Sequence, residues 1–159
     1  MNKSELISKL RTLPQQIDNL TKDLSEADLA TVYMLKDDGS PEWTVAQNVH
    51  HLADAHMNSY IRCKLVLSED EPTVKPFDHD RWANQPDAKS ADVSYSIAIL
   101  HSVHTRWALM FENLSEDEWT RIGHHPESGP FSIAHQLKYY AEHGEWHIDQ
   151  IQRTLAAKN

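Results

Sequence analysis

Apolar residues recur at three- and four-residue steps in four long stretches of the chain, the spacing of helices that bury one face. The first covers residues 4–24, where Leu6, Leu10, Leu13, Ile17, Leu20 and Leu24 share a side. Pro14 falls inside it and predicts a kink or a restart, because proline lacks the N–H donor and crowds the preceding turn. The second covers 44–67 and opens on Thr44 and Gln47 at capping-box spacing. The third covers 91–114, with Ser90 placed to cap it. The fourth follows Ser132 and runs to about residue 157. Its Leu137, Ala141, Gly144, Ile148, Ile151 and Leu155 alternate steps of four and three, the seam of a helix packed in a bundle. No stretch alternates with the two-residue period of a strand. The pattern predicts an all-α protein, a single four-helix bundle spanning residues 1–159.

The connectors are long and polar. Residues 25–43 hold a short helical turn opened by Ser-Glu-Ala-Asp, followed by the DDGSPE loop. Residues 68–90 are long enough to be functional or partly helical, and Phe77 and Trp82 are expected to pin a helical turn onto the bundle. Residues 115–131 begin with another capping box, Ser-Glu-Asp-Glu, and end in the turn HHPESGP.

Composition narrows the function. Fifteen Lys and Arg stand against 24 Asp and Glu, a formal net charge of −9. An acidic balance of this size argues against nucleic acid or an anionic membrane as partner, since both need a basic patch. The lone cysteine, Cys63, excludes a disulfide framework and a paired-cysteine metal site. It reads as a small buried hydrophobe. No apolar run reaches the length of a membrane span, and the N-terminal stretch has no signal-peptide core, so a cytoplasmic location is expected. Histidine is the anomaly, with 11 copies in 159 residues.

His143 and His147 lie four apart in HGEWH, one turn apart on one helix face, which is how a helix offers two imidazoles to one metal. The zincin HExxH pattern is absent because position 144 is glycine, and Glu145 projects to another side of the helix. A third ligand must come from elsewhere, and VHHLADAH in the second helix offers His50, His51 and His56. His51, Ala55, Asn58 and Arg62 form a largely polar stripe, costly in a core unless its groups are paired or used. His56 lies in the apolar stripe and is expected to be a hydrogen-bonded core or pocket histidine. His101 and His104, three apart in the third helix, are surface or core residues, and His124 and His125 are expected to make local backbone bonds beside Pro126. His79 reads as solvated, and Trp107, Trp119 and Trp146 as packing anchors. Glu-x-x-His pairs of a di-iron bundle, a phosphate-cradling glycine loop and a GxSxG elbow are all missing.

The strings WTVAQNVHHLADAHMNSYIRCKLVLSEDEP (43–72), HTRW (104–107), HPESG (125–129) and YYAEHGEWHIDQI (139–151) resemble, in this order, the motifs of the YfiT-like branch of the DinB/YfiT-like family of bacterial four-helix metalloproteins. The family's Gly-Gly-Trp before the second helix is Pro41-Glu42-Trp43 here, and its basic residue before Gln47 is Ala46. The resemblance implies a mirror-type variant of the up-and-down bundle and one divalent metal ion held by His51, His143 and His147. His50 is the neighbouring histidine and not the ligand. Zinc or nickel is the expected ion, with iron or manganese as alternatives, since imidazoles suit several metals. The implied activity is conjugation of a low-molecular-weight thiol such as bacillithiol to a small electrophile, with metal-dependent hydrolysis at the same site as the alternative and a non-catalytic metal- or ligand-binding dimer as a further one. Asn58, Arg62 and Tyr140 are candidate substrate contacts, Asp54 and Gln150 candidate partners of the ligand imidazoles, and a homodimer is expected by analogy. Because ligand histidines must be neutral, metal retention is expected to fall between neutral and mildly acid pH.

Overall fold

The first helix, α1 (Lys3–Thr21), starts at a reciprocal cap in which Asn2 Oδ1 accepts from the Glu5 N–H while Glu5 Oε2 accepts from the Asn2 N–H. It is the opening element of a computed structural model that describes residues 2–32 and 43–157. Pro14 lies within α1 and neither ends nor restarts it. A short turn, α2 (Glu26–Leu29), carries the Ser25–Asp28 capping box. The DDGSPE loop and the family departures Pro41 and Glu42 lie outside the described residues. The second long helix, α3 (Val45–Ser68), has the Thr44–Gln47 capping box. The expected turn near Phe77 and Trp82 is α4 (His79–Ala83), and the two rings pack at 4.9 Å.

The third long helix, α5 (Ser94–Glu112), starts later than its spacing suggests. Ser90 does not cap it; the Ser90 hydroxyl accepts from the Asp92 N–H, and Asp92 Oδ1 in turn accepts from the Ser94 N–H. Local side-chain bonds of this kind compete with helix formation. After α6 (Glu116–Thr120) comes a feature that the pattern does not reveal, an antiparallel hairpin of β1 (Ile122–His125) and β2 (Gly129–Ser132). Each strand has four residues and buries one, Gly123 or Phe131, too little to register as alternation. The HPESG turn closes the hairpin, with Gly129 at φ +81°, a conformation that favours glycine. The chain ends in α7 (Ile133–Ala157).

α1 and α3 each pack against both α5 and α7, so the four long helices form a square with α1 facing α3 and α5 facing α7 across its diagonals. Helices consecutive in sequence are therefore diagonal at two of the three connections, residues 22–44 and 113–132. The core divides into an end built on Trp107, Phe111, Trp119 and Phe131 and an end built on Leu13, Ile17, Val49, Leu52 and Ile151. Trp107 and Trp119 are the anchors expected of them, whereas Trp146 is 53 % exposed and meets Tyr139 and His143 edge-on. No helix among the described residues is long and apolar enough to cross a membrane.

Gly144 lets α7 approach α1. A Cβ there would sit 2.4 Å from Leu13 Cδ2 and 3.1 Å from Leu13 Cγ, and Leu13 is itself 3 % exposed with nowhere to move. Gly144→Val is expected to cost about 3 kcal/mol, the upper part of the overpacking range. The check is a lower urea midpoint with an unchanged denaturant slope.

Candidate metal centre

The amino-terminal half of α3 is buried almost all round, by α5, by α7 and by α4 with its flanking loop, and this is what turns its polar stripe inward. His51 lies there opposite His143 and His147 of α7. One ring nitrogen from each of the three lies within 4.8 Å of the others. The His51 ring centroid is 5.5 Å from that of His143 and 4.9 Å from that of His147. The indole of Trp43 tilts over His51 at 4.5 Å and stacks on His147 at 6.4 Å, closing one side.

Hydrogen bonds hold the α7 pair by their far nitrogens. His147 Nδ1 lies 2.8 Å from Asn48 Oδ1, and the Asn48 amide is oriented by its Nδ2 donating to the Thr44 carbonyl at 3.0 Å. His147 Nδ1 therefore carries the proton, and Nε2 keeps a bare lone pair. His143 Nδ1 lies 3.0 Å from His56 Nε2. The two Nε2 atoms then face each other at 3.2 Å beside His51. Convergence of nitrogen lone pairs from neutral rings is favourable only with a cation or proton to share, so the residues fit a divalent metal ion.

Burial keeps these rings neutral. It pushes His51 down to about 2, with further lowering from His147, His143 and His79, and pushes His143 down to about 3 and His147 to about 4. His104 falls to about 4 by burial, and His56 well below its ordinary value.

A cavity of about 600 Å³ opens beside the three histidines. Arg62 and Tyr140 line it as expected, together with Trp43, Phe77, Tyr139 and the imidazoles of His79, His125 and His135. Arg62 is fixed by donating to the Lys75 carbonyl at 2.8 Å and by lying over the Phe77 ring. Burial raises the Tyr140 hydroxyl, so it stays a neutral group. Asn58 does not line this cavity; its amide donates to the Asp54 carbonyl one turn back. Asp54 is raised to about 6 by burial and then by Asp87, and His50 is the imidazole that it senses. The partner of His147 is Asn48 rather than Gln150, whose carbonyl accepts from Thr154.

Several residues were not picked out for what they do here. Asn48 sits three residues before His51 inside a buried first turn, and only the neighbouring helix shows that it faces His147. His79 is exposed, in keeping with its reading as solvated, and it also lines the cavity and packs edge-on to Trp43 at 5.9 Å. His50 is structural, bonded to Ser96 Oγ at 2.7 Å and to the Ser90 carbonyl at 2.9 Å, which ties the loop before α5 to α3. His125 makes the local bonds expected of it, with Nδ1 accepting from the Glu127 and Ser128 N–H groups. Cys63 is fully buried and its thiol is pushed up to about 12, which removes it as a nucleophile.

Comparison with known proteins agrees with this architecture. The chain belongs to the DinB superfamily, whose family model matches residues 9–151. It is 38% identical over 98% of its length, and 87% of the relative's, to "Putative metal-dependent hydrolase" of Oceanobacillus iheyensis. It is 39% identical over 91% of its length, and 80% of the relative's, to a protein of the same name in Bacillus cereus. Among solved structures it is similar to YfiT from Bacillus subtilis, described as "a probable metal-dependent hydrolase with an unusual four-helix bundle topology". That match has a TM-score of 0.89 and 36% identity over 96% of this chain and 85% of the other. A mycothiol-dependent maleylpyruvate isomerase shares the fold at a TM-score of 0.61 and 13% identity, over 95% of this chain and 61% of that one.

Buried neutral imidazoles make the metal-free fold sensitive to acid. Each has a folded pKa below the ordinary 6.5, so the unfolded chain binds more protons and stability falls as pH drops through 6.5 toward 4. The raised Asp54 works in the opposite sense between its ordinary value and about 6. In chelator, unfolding free energy is expected to rise with pH over this window, by about 1.4 kcal/mol per pH unit for each net proton. Urea titrations at stepped pH check this, and a profile flat from pH 7 to 5 would contradict the burial of neutral histidines.

Proposed function

We propose that the protein is a metal-dependent thiol S-transferase, with His51, His143 and His147 holding one divalent ion, zinc or nickel before iron or manganese. The observation that carries the reading is the convergence of the three imidazoles on one wall of the 600 Å³ cavity. Three neutral nitrogen ligands leave coordination positions open, as catalytic rather than structural sites do. When bound, the ion supplies Lewis acidity that lowers the pKa of a thiol placed in an open position.

The chain's own residues account for the rest. A cavity of this volume suits a drug-sized ligand, which leaves room for a small thiol beside a small electrophile. Arg62, held rigid by Lys75 and Phe77, offers a fixed cation to a carboxylate on the thiol. Tyr140 offers a hydroxyl that does not ionise at neutral pH, and Trp43 and Phe77 shield the reacting groups from water. In the reaction the thiol sulfur forms a bond to carbon as the bond from that carbon to its leaving group breaks; the thiol proton and the leaving anion go to solvent. Cys63 cannot substitute for the cosubstrate, since its thiol is buried and held protonated.

The second reading is hydrolysis at the same site, with water as the nucleophile, and it is supported by the names of the DinB relatives. In both readings the protein acts on small molecules, with no nucleic acid or membrane partner, as a cytoplasmic homodimer. The test incubates zinc- or nickel-loaded protein with a chlorinated electrophile and a panel of thiols that includes bacillithiol. Thiol-dependent loss of electrophile, abolished by chelator and by His143→Ala together with loss of bound metal, is the expected result. Turnover without thiol would establish the hydrolase, and metal content equal in His143→Ala and wild type would overturn the three-histidine site.

A further inference from the structure

Two buried histidines remain outside this chemistry. His56 and His104 are both fully buried, on α3 and α5, and their rings stack at 4.9 Å with an interplanar angle of 10°. A charge on either would be uncompensated, because no carboxylate among the described residues is hydrogen-bonded to them, and an unpaired buried charge is costly. Both rings are therefore neutral, each with one N–H and one lone pair.

The order of those protons follows from α1. In an unbroken helix the N–H of residue 14 would donate to the carbonyl of Leu10, but Pro14 has none. His104 Nδ1 lies 2.5 Å from that Leu10 oxygen. A carbonyl only accepts, so Nδ1 of His104 carries the proton and Nε2 is bare. His56 Nδ1 lies 2.9 Å from this bare Nε2 and must be the donor, which leaves His56 Nε2 bare in turn. His143 Nδ1, 3.0 Å away, is then also a donor. One carbonyl thus sets the tautomers of three rings in sequence, and the last ring is left with its lone pair on Nε2, directed at His147.

We propose that His104 and His56 are positioning residues which, anchored on the Leu10 carbonyl that Pro14 leaves free, hold His143 in its Nδ1–H tautomer and so present Nε2 as the metal-ligating atom. The inference rests on the metal-site reading above for its purpose, though the proton order itself does not. Metal-bound histidines usually donate their other N–H to a carboxylate or a carbonyl, which fixes ring orientation. Here the carbonyl lies two imidazoles away and on a helix that supplies no ligand. This links the seating of α1 to the geometry of the site between α3 and α7. The relay carries no negative charge, so it orients His143 without neutralising any charge that the site holds.

The test labels the histidine side chains with ¹⁵N and reads tautomers by long-range proton–nitrogen correlation in metal-free protein at neutral pH. His104, His56 and His143 are expected as Nδ1–H tautomers. Protonation of His56 or His143 on Nε2 overturns the relay without any variant having to fold. The affinity for zinc, measured by chelator competition, is then compared between wild type, His104→Phe and His104→Gln. Removing a partner of this kind costs about 10–100-fold in metal affinity. His104→Phe is expected to lose that much and to show mixed tautomers at His143. Gln can donate to Leu10 and accept from His56, and is expected to recover most of the loss, which a general packing defect would not allow. Wild-type affinity and an unchanged His143 tautomer in His104→Phe would overturn the proposal. Correct tautomers in a wild type that fails to bind zinc would overturn the metal-site reading, and with it the purpose assigned here, while leaving the proton order intact.

Discussion

Five imidazoles packed between α3, α5 and α7, with no carboxylate among the described residues hydrogen-bonded to them, form the constraint on which the rest of this structure depends. Burial forces every ring to be neutral, and a neutral imidazole has one donor and one acceptor to satisfy. His104, His56 and His143 meet that demand largely from one another, and His147 meets it from Asn48. Among the described residues, the His143 and His147 nitrogens left without a donor are those that converge beside His51 at the cavity. A site for a cation is thus what remains after internal hydrogen bonding has been completed.

The bundle topology serves this arrangement. Placing α1 diagonal to α3 brings α3 and α7, which carry the ligand candidates, side by side, and puts α5 next to α3 so that His104 can reach His56. The cost is that two of the three connections join diagonal helices. One of these contributes to the site, since the β1–β2 hairpin supplies His125, Pro130 and Phe131 to the cavity wall, while the connection between the adjacent α3 and α5 supplies Phe77 and His79. Proline in mid-helix is ordinarily destabilising because it leaves a carbonyl unpaired. In α1 that carbonyl becomes the acceptor at the end of the histidine chain, so a local defect is absorbed by a tertiary bond.

Much of this was legible before any coordinates. Four helical periods, the capping boxes at Ser25, Thr44 and Ser115, and the His143–His147 spacing are all local features, and each depends on residues within a turn or two of one another. The hairpin was not legible because four-residue strands burying one residue apiece, Gly123 and Phe131, leave no alternation to detect. Trp146 was misjudged because a large aromatic on a seam-bearing helix suggests burial, and its position one residue before His147 places it outside the bundle instead. Asn58, on the same stripe as His51, donates its amide to the Asp54 carbonyl of its own helix and does not line the cavity.

By itself the sequence determined the four long helices and the pairing of His143 with His147, because helix periodicity and the i, i+4 relation are properties of the chain alone, while the resemblance of its motifs pointed to the family and to His51. Only the tertiary structure decided which nitrogen of His143 and of His147 is free. Tautomer is set by whichever group lies opposite, and those groups, Asn48 for His147 and the Leu10 carbonyl through His104 and His56 for His143, come from other helices many residues away.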